Sequence, residues 1–160
     1  MRTKSNSDLF WDQIKDTYYA EHPALTLSSE LMWCVAPKRP PVLDARHNQT
    51  ADHIARLQQV FESLGEPALP QNCPAVDEFI EQGEQMLSSY TGTNSLEAGI
   101  AAMVQAVETY EISRFGTLCR WAELLGLAES LALLKKTFAE RSAADQSVNG
   151  VTTKVAVDAV

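Results

Sequence analysis

The amino-acid sequence predicts an all-α protein, an antiparallel four-helix bundle with an additional short crossover helix. Two observations carry that expectation. Apolar residues recur at helical spacing in five segments, and no segment shows the strict alternation of a half-buried strand. Four of these segments are long, and the short one falls between the second and third of them, as in bundles with one long crossover.

The first long segment opens at Ser7 or Asp8, a residue pair suited to cap a helix, and runs to about Cys34. Its stripe is Phe10, Ile14, Thr17, Glu21, Ala24 or Leu25, Ser28 and Leu31. Pro23 lies within it and predicts a kink or break, because proline removes a backbone donor and crowds the preceding turn. Ala36-Pro-Lys-Arg-Pro-Pro41 is a stop signal. The second segment spans roughly Leu43 to Leu64, buries Leu57, Val60, Phe61 and Leu64, and ends at Gly65. Pro67 and Pro70 follow, then a short helix over about Val76 to Ser88.

Thr91 to Ser95 form a turn, with Asn94 or Ser95 as the next cap. The longest segment covers about Leu96 to Leu125, with Ile100, Val104, Val107, Glu111, Arg114, Leu118, Trp121 and Leu125 at the spacing of a bundle seam. Gly126 separates it from the last, about Ala128 to Val148, whose stripe is Leu131, Leu134, Phe138, Arg141 and Asp145. Residues 8–148 are thus expected to form one helical domain, with a flexible N-terminus over 1–7 and a disordered tail over 149–160. The crossover places the fold with the ferritin-like bundles.

Composition narrows the function. The chain carries 13 Lys and Arg against 21 Asp and Glu, a net charge of -8, which argues against nucleic acid as a partner. No apolar run approaches the roughly 20 residues that cross a bilayer, so no membrane association is expected. The polar N-terminus lacks the apolar segment of a secretory signal. Cys34, Cys73 and Cys119 are scattered and odd in number, which suits reduced thiols in the cytoplasm. There is no Gly-rich phosphate loop, no G-x-S-x-G and no H-E-x-x-H.

The informative residues are the polar ones inside apolar stripes, since a buried charge is costly unless it is paired or bound to a cation. Glu21 interrupts the first helix; Gln49 and His53 share a face of the second; Glu108 and Glu111 share a face of the fourth, with Arg114 one turn on; Arg141 and Asp145 lie on the last. Carboxylates and imidazoles converging from several helices suit a pair of iron or manganese ions. An arginine facing the same acids would instead make a buried ion-pair network with no metal. His22, His47, the tyrosines (Tyr18, Tyr19, Tyr110) and the tryptophans (Trp11, Trp33, Trp121) read as solvent-facing or packing residues.

Several stretches resemble the YciE/YciF group of bacterial ferritin-like proteins. His53-Ile-Ala-Arg-Leu-Gln-Gln-Val-Phe-Glu-Ser-Leu-Gly65 is similar to their second helix, and Cys73 with Val76-Asp-Glu-Phe-Ile-Glu-Gln-Gly83 to their crossover helix. Val107-Glu-Thr-Tyr-Glu-Ile-Ser-Arg-Phe-Gly-Thr-Leu118, Ala122-Glu-Leu-Leu-Gly126 and Leu134-Lys-Lys-Thr-Phe-Ala-Glu140 continue the likeness, and Asp8 to Glu21 fits the first helix. The resemblance implies a five-helix ferritin-like fold, frequently dimeric, tied to bacterial stress responses, without an established reaction, and built to hold two metals between the helices.

The chain departs from that pattern at its polar positions. Asn48 and Gln49 stand where glutamates are expected, Glu108-Thr-Tyr-Glu111 replaces Glu-His-Tyr-Glu, and Ala139-Glu-Arg141 brings a cation into an acid-rich stretch. The retained metal candidates are Glu21, His53, Glu108, Glu111 and Asp145, with Gln49, Arg114 and Arg141 as supporting or ion-pairing residues. A guanidinium beside a divalent ion adds repulsion, so a reduced site with iron or manganese sub-stoichiometric or absent is expected. The leading expectation is a stress-associated bundle that is not an enzyme, acting as a homodimer or through a protein partner. The alternatives are a di-iron or di-manganese oxidoreductase acting on peroxide or dioxygen, and an inhibitor-type or immunity-type binding module.

Overall fold

The computed structural model describes residues 4–34, 41–93 and 95–158; within these, the side chains of 24–25, 27–34, 41–46, 97 and 145–158 lie outside what is described. The chain forms five helices: α1 (Asn6–Cys34), α2 (Pro41–Ser63), α3 (Pro74–Tyr90), α4 (Ser95–Leu124) and α5 (Ala128–Asp158). No strand occurs among the described residues.

The helix ends follow from local chemistry. Ser5, two residues before the Ser7 the sequence suggested, caps α1: its hydroxyl accepts from the Asp8 amide at 3.2 Å, and the Asp8 carboxylate accepts from the Ser5 amide at 2.7 Å. Asp8 is therefore the third residue of a reciprocal capping box and not the cap itself. Gly65 and Gly126, at φ of 71° and 72°, close α2 and α4. In each case the residue after the glycine donates to the carbonyl five positions back, Glu66 to Phe61 and Leu127 to Ala122, which satisfies the last turn. Cys73 caps α3, and Pro74 takes its first position, where a missing N–H costs nothing.

Pro23 lies inside α1 without dividing it, so the break allowed by the sequence does not occur. The buried residues Phe10, Ile14, Thr17, Tyr18, Ala20 and Glu21 anchor the turns before it, which offsets the one backbone bond that proline removes. At the other end of the chain, α5 runs beyond the Val148 expected from its apolar stripe, to Asp158.

The four long helices close a ring in which α1 touches α2, α2 touches α5, α5 touches α4 and α4 touches α1. α3 packs outside the ring, against α1 and α4. The turn over 125–127 sets α4 and α5 side by side, and α3 carries the long crossover from α2 to α4. This is the ferritin-like bundle. Among the described residues α1 and α5 share no backbone contact and occupy opposite corners, so a group joining them must pass through the centre.

Apolar residues fill the bundle on both sides of that centre. Phe10, Ile14 and Tyr18 from α1 meet Leu57, Val60 and Phe61 from α2, Phe115, Leu118 and Ala122 from α4, and Leu134 from α5. A second cluster, Leu96, Ile100, Met103 and Val104, is covered by Ile80, Met86 and Leu87 of α3. Glu108 and Glu111 lie between these clusters along α4, flanked by apolar packing on each side. Leu134 is the fully buried α5 residue of the larger cluster, so Leu134→Ala should lower stability by about 2–5 kcal/mol. Urea unfolding checks this, and a loss under about 1 kcal/mol would mean that α5 is not anchored there.

Candidate functional site

The centre of the bundle is an ion cluster. Glu21 sits one turn past Thr17 on the buried stripe of α1, and Glu108 and Glu111, three residues apart, share the inward face of α4. All three are buried, at 1%, 1% and 4% exposure. From the opposite corner, α5 sends in Arg141, itself 2% exposed.

The guanidinium of Arg141 joins the three acids. Its Nη2 donates to both carboxylate oxygens of Glu21, each at 2.6 Å. Its Nη1 donates to Glu111 and, at 3.4 Å, to Glu108. The Phe115 ring lies under the guanidinium, 5.6 Å from centroid to carbon, and shields it from water. Burial alone would lower the arginine pKa, but attraction from Glu111 and Glu21 outweighs it and holds the guanidinium protonated above its ordinary range.

His53 belongs to a second, neighbouring cluster. Its Nε2 lies 3.1 Å from the Glu140 carboxylate, which also accepts from Arg56 at 2.9 Å and 3.3 Å. Arg56 donates further to the Thr137 hydroxyl at 2.7 Å, tying α2 to α5. The Phe115 ring, 6.4 Å from the His53 ring and under Arg141, stands between the two groups. Arg56 and Thr137 were not singled out from the sequence, although Arg56 lies one turn from His53 and Thr137 one turn from Arg141.

Arg114 goes elsewhere than the acids of its own helix. It donates to Gln13 and Asp16 of α1 and lies 5.6 Å from the Tyr110 ring. Gln49 is half-buried on α2. The side chain of Asp145 lies outside the described residues, as do those of Cys34 and Trp33. His22 is exposed and His47 half-buried. Tyr18 is a core residue whose hydroxyl accepts from Gln58 at 3.0 Å, while Tyr110 meets the buried Cys73 thiol at 3.3 Å.

The fit of a metal can be judged from this geometry. Oxygen ligands hold divalent ions such as iron or manganese at about 2.0–2.6 Å, within the space between the carboxylates. That space is taken by guanidinium nitrogens 2.6 Å from the Glu21 oxygens. Among the described residues no group of three or more His, Cys, Asp or Glu is arranged to hold a metal. With Arg141 in place the cluster does not fit a metal centre.

Arg141→Met should destabilise the protein by about 3–5 kcal/mol, because three buried carboxylates lose their shared cation. Denaturant unfolding at neutral pH measures it, and a change under about 1 kcal/mol would contradict the cluster. Tyr110 gives a pH signature. Burial, then the Cys73 contact, raises its phenol pKa well above the ordinary value of 10.0. The folded state thus holds a proton that the unfolded chain releases above about pH 10, so this stability is complete below that pH and falls above it. Tyr110→Phe should flatten the alkaline decline, as followed by unfolding between pH 9 and 11; an unchanged slope would reject the assignment.

Comparison with known proteins places the chain. Protein YciF of Escherichia coli K12 is 31% identical over 147 residues, which cover 91% of this chain and 89% of the relative. The crystal structure of the E. coli stress protein YciF superposes with a TM-score of 0.88 at 29% identity, over 96% of this chain and 98% of that one. YcfI of Rhodopseudomonas palustris, described as a candidate structural protein, gives 0.86 at 33% identity over 91% and 94%. The model of the family described as a domain of unknown function, DUF892, matches residues 5–160, and the chain belongs to that family.

Proposed function

We propose that this chain is a stress-associated bundle protein of the YciF kind whose central cation is its own Arg141, acting through its shape and surface and not by redox turnover. The observation that carries this reading is the guanidinium seated among Glu21, Glu108 and Glu111. An oxidoreductase of this architecture needs metal ions there with an open coordination position for oxidant. A buried, fully protonated arginine supplies neither.

The surface supports a contact role. At the end of the bundle near the 125–127 turn, Asn6, Leu9, Trp121, Leu124 and Leu125 line an apolar groove. Leu124 is 83% exposed and Leu9 44%, which leaves apolar surface in this groove for a partner to cover. A second copy of the chain or a protein partner is the occupant this reading assigns to the groove. No helix among the described residues is long and apolar enough to cross a membrane. The Cys73 and Cys119 thiols are free and buried, in keeping with a cytoplasmic protein.

The test is elemental analysis of protein produced with iron and manganese supplied and without an affinity tag, alongside assays with peroxide and dioxygen. Metal well below one equivalent per chain, with no turnover sensitive to chelation or to Glu111→Ala, is the expected result. Near two equivalents with chelator-sensitive turnover would overturn the proposal in favour of a di-iron or di-manganese oxidoreductase.

A further inference from the structure

α3 is held to the bundle in two different ways along its length. Its first turns are tied by polar and ring contacts. The Tyr19 hydroxyl of α1 donates to Asp77 at 2.8 Å, Cys73 meets the Tyr110 hydroxyl of α4 at 3.3 Å, and the Phe79 ring meets the Tyr110 ring edge-on, with centroids 5.7 Å apart. Beyond Ile80 the hold is apolar. Gln82 and Gln85 donate to Glu78 and Glu81 of α3 itself, and among the described residues no hydrogen bond or ion pair joins residues 81–90 to another helix. That half of α3 stays in place through Met86 and Leu87, which cover Leu96, Ile100, Met103 and Val104 of α4.

Met86 is seated in a notch made by a glycine. A β-carbon at Gly99 would lie 2.5 Å from the Met86 sulfur, so the thioether rests directly on the α4 backbone and only glycine leaves it room. Met86 is half-buried, within reach of a small solute, whereas Met103 in the same cluster is 7% exposed.

We infer that Met86 is an oxidation-sensitive latch, whose conversion to the sulfoxide by a peroxide frees residues 81–90 of α3 and uncovers the apolar face of α4 beneath them. In that step a sulfur–oxygen bond forms as the peroxide O–O bond breaks. The thioether gives up two electrons, one peroxide oxygen stays on sulfur, and the other leaves as water with both protons. The sulfoxide is a polar hydrogen-bond acceptor, costly against the apolar side chains that the thioether now touches. The first turns of α3 keep their ties, which contain no methionine, and so serve as the hinge. Opening then exposes Met103 to the same chemistry. The event is one modification per chain and involves no turnover, so it stands apart from the central ion cluster.

The experiment treats full-length native protein and Met86→Leu with hydrogen peroxide, then with a thiol reductant that reverses sulfenic and disulfide products of the cysteines and leaves sulfoxides in place. Peptide mass spectrometry reads the sulfoxide at each methionine, and hydrogen–deuterium exchange reads opening of residues 81–90. In the native protein Met86 should react before Met103, and amide exchange over 81–90 should then quicken at least about tenfold while the first turn of α3 changes little. Methionine sulfoxide reductase should restore the slow exchange. Met86→Leu keeps the apolar volume without the sulfur, so it should stay closed under the same treatment and slow Met103 oxidation at least about fivefold. Complete Met86 oxidation with unchanged exchange overturns the inference. So does oxidation of Met103 before Met86, or opening of Met86→Leu to the same degree as the native protein.

Discussion

The structure turns on how three carboxylates remain buried at the centre of an apolar bundle. Moving a carboxylate out of water costs several kcal/mol even after the protein relaxes, and the cost is borne only where a counter-ion and hydrogen bonds replace the lost solvent. Arg141 provides that replacement, reaching Glu21, Glu108 and Glu111 from across the ring. A planar guanidinium suits the task because it divides its donors among several carboxylates and stays charged at any pH a cell meets. Attraction from Glu111 and Glu21 strengthens that hold despite complete burial.

The remaining architecture serves this contact. The closed ring of α1, α2, α5 and α4 places Glu21 and Arg141 at opposite corners, so their bond braces helices that share no backbone contact among the described residues. Beside it, Arg56, Glu140, His53 and Thr137 tie α2 to α5, and Phe115 separates the two polar groups. Arg114 ties α4 to α1 through Gln13 and Asp16. Each inter-helix ionic tie thus has its own partner set, and the central acids remain with Arg141 even though Arg114 lies one turn from Glu111. A buried network of this kind adds specificity of arrangement more than raw stability, since an apolar core of the same volume often does as well.

The fold was largely legible because its signals are periodic. Apolar spacing located the four long helices and the short crossover, and Gly65 and Gly126 marked ends that the structure closes with glycine at positive φ. The polar interruptions of the stripes were equally visible: Glu21, His53, Glu108, Glu111 and Arg141 are all buried. What periodicity does not encode is which buried charge meets which. Arg114 and Arg141 both lay on faces compatible with the acids, and only the packing of α1 beside α4 sends Arg114 to Asp16. Arg56 and Glu140 are separated by 84 positions in sequence, so their pairing emerges only with the ring. Sequence alone does not single out the Ser5 cap, because Ser7 and Asp8 are also good caps, and the reciprocal Ser5–Asp8 bonds decide among them.

The most direct test of this account is a double-mutant cycle between Arg141→Met and Glu21→Gln, read by denaturant unfolding at neutral pH. The two residues come from helices that share no backbone contact among the described residues, so coupling between them reports chiefly the central bond. The account predicts strong coupling, of about 1.5–3 kcal/mol, with the double variant less destabilised than the sum of the single ones. Additivity within about 0.5 kcal/mol would contradict it, because it would mean that Arg141 does not balance the charge of Glu21.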